Sequence, residues 1–448
     1  MGKLIAAMIL ILAQTSFAQG IAWVDYSVDN SGLLSDNVHA IVVDSANNKW
    51  FGTGGGLCKF NGTNWTTYTT TNSPLPSNYI TCLSIAPDGV LWVGTSDGLA
   101  SYDGMSWHIF NMANSSIPDS FVTALKATRT GVWVGAMDYD TYVNGGLAFY
   151  DGSSWTVYKK GSSPLPDNRI MAIDVSRDST VWIGTLAGLA RLKDGKWNVF
   201  QMDSTSGFTT MEDIEGVAID SSNTKWLASK AYPELSGGVI QGGLLGLKDS
   251  TFVAFTGANS SFPSGGNSVN CIFVDKFNNV WVGLWYQDPG PNIYNTWGVA
   301  LGEYLAGGGW RFYQNQLVNP NVQCITMDKR NHLWVGTQFG ATEMVDSTLA
   351  AIRPPGNPGS PRSYQLLQNF PNPFNPTTMI SSDLPRRTQV TLTVFDLLGR
   401  NVKTLVKGMQ GPGRHSLTLD ATGLASGVYF YRLEAGTFVE TKKLTVLK

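Results

Sequence analysis

Short apolar runs alternate with turns rich in Asn, Asp and Gly from Ile21 to Val345, and the alternation has a period. A tetrapeptide of the form Trp-apolar-small-small recurs at Trp50 (WFGT), Trp92 (WVGT), Trp133 (WVGA), Trp182 (WIGT), Trp226 (WLAS), Trp281 (WVGL) and Trp334 (WVGT), at spacings of 42, 41, 49, 44, 55 and 53 residues. Upstream of each lies an apolar run and a polar turn, as in NVHAIVVDSANNKW. Downstream comes a Gly-led run such as GLCKF or GLASY. A last run opens on an aromatic and carries another three residues on: Trp65/Tyr68, Trp107/Phe110, Trp155/Tyr158, Trp197/Phe200, Phe252/Phe255 and Trp310/Tyr313. Four short strands joined by tight turns predict an antiparallel sheet in every repeat.

One such sheet cannot bury both faces, so seven stacked about an axis predict a β-propeller. The fourth strand is missing after Trp334, while Trp23-Val24-Asp25-Tyr26 supplies the same aromatic pair near the amino terminus. The N-terminal strand is therefore expected to complete the last blade, and closure removes exposed sheet edges.

The first residues read differently. Lys3, an apolar run from Leu4 to Leu12 and Ser16-Phe17-Ala18 have the form of a cleaved leader, so residues 1–18 are expected to be a signal peptide. The run is too short to span a bilayer, and no transmembrane anchor is expected. Residues 346–363 form a Pro/Gly-rich linker, and 364–448 a separate, alternating β module. Charge supports the division: Ser363 to Lys448 carry a net +5 within an overall −2. That near-neutral total excludes a global nucleic-acid field. Only 14% of residues are charged while Gly numbers 49 and Trp 15, which excludes a disordered chain or a coiled coil.

Candidate chemistry sits in three places. The distance from anchor Trp to the next strand's Gly is 6 residues in four repeats, but 13, 17 and 17 in the third, fifth and sixth. The insertions gather on one face and carry Tyr139, Tyr142, Tyr232, Trp285, Tyr286, Tyr294 and Trp297, an aromatic crown suited to a glycan or peptide. The position eleven before each anchor carries His39, Thr81, Met171, Glu215, Asn270 and Gln323, with Thr123 equivalent in the shortened third repeat, and is expected to line the central channel. Cys82, Cys271, Cys324 and Cys58 stand where other repeats carry Ala or Gly, which predicts free, buried thiols. Asp138-Tyr-Asp140 begins like a calcium loop but lacks its closing ligands, and no metal site or cofactor is expected.

The LPSN…V..I..D..G..WVGT..GL..YDG..W..Y pattern resembles the two-component-regulator propeller repeats, which in their family form extracytoplasmic sensors. The tail, with Pro371-Asn372-Pro373-Phe374-Asn375-Pro376, Leu398-Gly399-Arg400, Gly427-Val428-Tyr429 and Lys442-Lys443, resembles the C-terminal sorting domain of type IX secretion substrates. That resemblance implies an Ig-like sandwich, the type IX machinery as a partner, and passage to the outer surface or medium. The expected protein is an all-β, monomeric, non-catalytic binding protein comprising a seven-bladed propeller at 19–345 and an Ig-like module. The alternatives are a metal-dependent propeller lyase or lactonase working through Glu215, Asn270 and His39, and a structural or orphan sensor-like surface protein.

Overall fold

The computed structural model describes residues 21–138, 144–200, 213–229, 232–233, 239–240, 243–248, 251–255, 268–285, 301–306, 308–313, 316–346, 364–367, 369, 372, 374, 376–384, 387–411, 413–436 and 438–446. The chain divides into two compact units, Met1–Ile352 and Arg353–Lys448. The expected leader at 1–18 and most of the expected linker at 346–363 lie outside the described residues.

In the first unit the described residues form seven four-stranded antiparallel sheets and a two-stranded pair. Their inner strands are Val38–Val43, Ile80–Ile85, Phe121–Ala127, Ile170–Val175, Ile214–Ile219, Ser268–Val274 and Val322–Met327. Each inner strand packs on that of the next sheet, and Val322–Met327 packs on Val38–Val43. The second strands have buried side chains on both faces, as in Lys49–Thr53 and Val181–Thr185, because each sheet has a neighbour on either side.

Two residue choices make that stacking possible. The Gly two residues after an anchor Trp leaves a hole for the next sheet's β-branched residue: a Cβ on Gly52 would stand 2.7 Å from Ile80, and one on Gly94 2.8 Å from Val122 and 2.5 Å from Cys82 Sγ. In the fifth sheet Ala228 takes the Gly place, and Gly216 takes the place that Cys82 fills in the second, so one methyl moves across the contact. All four thiols are free, and burial pushes those of Cys58, Cys82 and Cys271 up to about 12.

Aromatic stacking supplies the second device. Each anchor ring lies over the fourth-strand aromatic of its own sheet: Trp50 on Tyr68 at 5.8 Å, Trp92 on Phe110 at 5.8 Å, Trp182 on Phe200 at 5.5 Å and Trp281 on Tyr313 at 5.8 Å. In the seventh sheet the partner of Trp334 is Tyr26, at 5.2 Å. The strand Ile21–Tyr26 pairs antiparallel with Gly340–Asp346, from Ile21 opposite Asp346 to Tyr26 opposite Ala341.

The linkers between sheets are plugged by Leu75, Ile117 and Leu165, all buried. In the second unit a three-stranded sheet (Gln365–Leu366, Thr377–Leu384, Gly413–Asp420) and a four-stranded one (Asn401–Gln410, Thr388–Phe395, Gly427–Ala435, Phe438–Val446) share one core that includes Ile380, Leu392, Tyr431 and Leu444. The Tyr431 hydroxyl donates to Leu367 O at 2.7 Å and accepts from Asn369 N at 2.7 Å, pinning the entering segment.

Candidate functional site

The hairpin between second and third strands separates the sheets into two kinds. In four of them Thr closes a tight turn: Thr53, Thr95, Thr185 and Thr337 donate to the carbonyls of Gly56, Gly98, Gly188 and Gly340 at 2.8–2.9 Å. The same Thr oxygens accept from Gly55, Asp97, Ala187 and Phe339 N. Where the repeat carries an insertion the lock is replaced, by Ala136, Ser229 and Leu284. The anchor tetrapeptides thus recorded in their last letter which hairpins open into loops, a signal readable in the sequence.

Of the crown residues, Tyr139, Tyr142, Tyr286, Tyr294 and Trp297 lie outside the described residues. Tyr232 falls in the short strand Tyr232–Pro233, paired with Val239–Ile240, and Trp285 ends Val280–Trp285; their side chains are not among those described. The neck of the first insertion is closed by Asn144, whose carbonyl accepts from Asp138 N at 3.4 Å and whose amide donates to Asp138 Oδ2 at 3.4 Å.

The ring position has an unforeseen geometry. In every sheet the pairing of first and second strands skips one residue, and the skipped residues are His39, Thr81, Thr123, Met171, Glu215, Asn270 and Gln323. Each is a β-bulge residue, which turns its side chain out of the ladder. All seven are partly exposed. Several reach the next sheet: His39 Nδ1 meets Ile80 O at 2.6 Å, Thr81 donates to Val122 O and Thr123 to Ile170 O at 2.5 Å, and Asn270 donates to Val322 O at 3.4 Å. Gln323 crosses to Asn37 Oδ1 at 2.6 Å. These side chains stitch sheet to sheet. The carbonyl partner fixes the proton of neutral His39 on Nδ1, and burial holds its pKa below the ordinary value against that bond.

A further polar element lies at the opposite end of the sheets, six residues before the anchors. Asp44 accepts from Ala46 N and Asn48 N, caps a turn in which Asn47 is left-handed (φ 66°), and takes the Trp50 indole N–H at 3.1 Å. Asp220 and Asp275 do the same for Trp226 and Trp281 at 3.0 Å, and Ser176 for Trp182 at 3.0 Å. The turns follow from the Asp-xx-Asn spacing; the indole cap does not, since it needs the strand register.

In the seventh sheet Asp328 leaves this role. Its Oδ2 accepts from Lys49 Nζ of the first sheet at 3.2 Å, and Trp334 Nε1 is buried with no hydrogen-bond partner among the described residues. Beside it His332 Nδ1 meets Glu343 Oε1 at 2.6 Å, and Tyr26 donates to Glu343 Oε2 at 2.8 Å. Candidate metal-ligand atoms of Asp328, His332 and Glu343 lie within 4.8 Å of one another. They already satisfy one another, Lys49 and Tyr26, an arrangement suited to joining two sheets. Burial pushes the Asp328 carboxyl up, but N–H donors from His332 and Arg330 and the Lys49 charge outweigh it, so its pKa falls below the ordinary value.

The structure resembles solved propeller-like chains at low identity. The extracellular domain assigned to a hybrid two component system of B. thetaiotaomicron aligns at 16% identity and TM-score 0.55, over 95% of this chain and 57% of that one. Virginiamycin B lyase from Staphylococcus aureus aligns at 14% identity and TM-score 0.53, over 72% of this chain and 99% of the lyase. Such likeness shows the fold alone. No curated protein matches the sequence. No helix among the described residues is long and apolar enough to cross a membrane. Residues 74–97, 263–286 and 316–339 match the two component regulator propeller and residues 368–447 the secretion system C-terminal sorting domain. The chain thus carries two component regulator propeller repeats and, at 368–447, a type IX secretion sorting domain, which directs export to the cell surface or the extracellular space.

Proposed function

We propose that the seven sheets are the blades of one closed propeller, locked by the N-terminal strand, and that an Ig-like sandwich follows as its sorting domain. The propeller is an exported, monomeric and non-catalytic binding protein. It takes a polar ligand, a glycan or peptide, on the face where the third, fifth and sixth hairpins open. The exchange of the Thr lock for Ala136, Ser229 and Leu284 in those three hairpins carries this reading. Four tight turns and three longer insertions on one face set a constant rim beside a variable crown, the division of labour that binding surfaces on repeat scaffolds use.

An array of glycans and peptides probed with the purified chain identifies the ligand. Replacing Trp285 and Trp297 with Ala is then expected to weaken its binding at least tenfold, by about 1.4 kcal/mol or more; unchanged binding removes the ligand from the crown. The lyase alternative has less support, because His39 and Asn270 are tied to neighbouring strands. One stoichiometric divalent ion in the purified protein would revive it.

A further inference from the structure

The cross-strand partner of each anchor Trp, on the third strand, decides what covers its ring. It is Lys59 in the first sheet, Phe149 in the third, Arg191 in the fourth, Glu303 in the sixth and Glu343 in the seventh. Two of these place a cation over the indole: Lys59 Nζ lies 4.8 Å from the Trp50 ring and the Arg191 guanidinium 5.9 Å from that of Trp182. Lys49, from the first sheet, does the same for Trp334 at 5.0 Å. The scaffold therefore repeatedly satisfies its anchor rings with positive charge.

The second sheet departs from this on every count. The partner of Trp92 is Ser101, and the following sheet offers Val132 where the first sheet offers Lys49. Ala86 stands where the first, fifth and sixth sheets carry the Asp that caps the indole. A groove of about 450 Å³ opens there between the second and third sheets, lined by Trp92, Ser101, Asp103, His108, Phe110 and Tyr150 among others, with no Lys or Arg. Trp92 is partly exposed, and Phe110 stacks on it. Asp103 lies at the rim, its carboxyl held below the usual range by the backbone N–H groups of Ser106 and Met105. The groove lies at the end of the sheet away from the crown, beside the turn joining third and fourth strands.

We propose that this groove is a cation site, which takes an alkylammonium or guanidinium group over the ring of Trp92 where the first and fourth sheets supply Lys59 and Arg191. Asp103 gives the bound group its counter-charge, and Phe110 and Tyr150 wall its alkyl stem. The occupant is a free organic cation or a basic side chain of a polypeptide.

Ligand-observed NMR titration of the purified full chain tests this with propylguanidine, its neutral isostere propylurea, and methyl glucoside. Propylguanidine is expected to bind at least about threefold more tightly than either neutral probe. Ser101→Lys, which supplies the chain's own cation as Lys59 does, abolishes that binding, and Asp103→Asn weakens it about threefold or more. Equal binding of propylurea or of methyl glucoside, or no binding of propylguanidine, overturns the proposal, as does a folded Ser101→Lys variant that still binds. Should Ser101→Lys fail to fold, the exposed Asp103→Asn position decides: full affinity there overturns it. A capped Gly-Arg-Gly peptide that binds more tightly than propylguanidine points to a polypeptide source, and equal affinity to a free cation.

Discussion

Lys49 of the first sheet and Asp328 of the last are joined by a buried ion pair, Nζ to Oδ2 at 3.2 Å, with side chains 4% and 0% exposed. The same ammonium lies over the Trp334 ring, so one side chain of the first sheet satisfies both a charge and an aromatic of the last. Neighbouring sheets also meet through apolar contacts, as where Ile80 meets Gly52.

Breaking that pair from one side leaves an uncompensated buried charge. Lys49→Met or Asp328→Leu alone is expected to cost about 3–5 kcal/mol, while the double variant recovers much of the loss. Denaturant unfolding of the three variants checks this; additive losses would mean that the two residues are not coupled.

The pair also predicts a direction with pH. Because the folded pKa of Asp328 lies below its ordinary 3.8, its contribution is complete above that value and is lost as pH falls through the folded one. His39 behaves alike at higher pH: burial depresses its pKa from 6.5, so its contribution is present above 6.5 and fades as pH falls below it. His39→Asn keeps a donor for Ile80 O, as Asn270 does for Val322 O, and should flatten the melting temperature between roughly pH 6.5 and 5. An unchanged slope would assign the pH dependence to other groups.

Gly94→Ala drives a methyl against Cys82 Sγ and Val122 and is expected to cost about 1–3 kcal/mol. Cys82→Gly in the same chain reproduces the fifth sheet's Gly216/Ala228 arrangement and should recover part of that cost. A thermodynamic cycle with no coupling between positions 82 and 94 would show the hole to be filled from elsewhere.

Asp275→Ala removes at once the acceptor for Trp281 Nε1, for Asn279 and for the turn N–H groups. A loss of about 1–3 kcal/mol is expected, since the indole is left buried and unpaired. The corresponding change at Ala86→Asp should leave stability level or raise it, as Trp92 gains an acceptor. Thermal unfolding of both variants distinguishes a cap from a mere turn residue.

What could be read from the sequence follows from what recurs. The anchor Trp, the Gly that leads the third strand and the fourth-strand aromatics recur because every sheet needs the same stack, and so the strands were legible down to the displaced pair Trp23/Tyr26. The bulge was not. His39 and Thr81 share a column of polar residues, which reads as channel lining, and only the strand register shows that the ladder steps over them and that they reach the next sheet's carbonyls. The Asp44 turn was legible but its indole contact was not, because that requires knowing that Trp50 lies back over the turn. Lys49 and Asp328 are 279 residues apart, and no local pattern announces their meeting.

The pairing of Ile21 with Asp346 also fixes how the first unit answers to force. The chain enters at Ile21 and leaves at Asp346, so tension between the two ends falls on neighbouring residues at one end of an antiparallel ladder. The load meets one pair at a time, from Ile21/Asp346 toward Tyr26/Ala341, rather than the whole row in shear. A chain held at its tail and drawn by its amino terminus therefore peels at this strand first, with Tyr26 and its hydrogen bond to Glu343 as the last catch before the strand comes away.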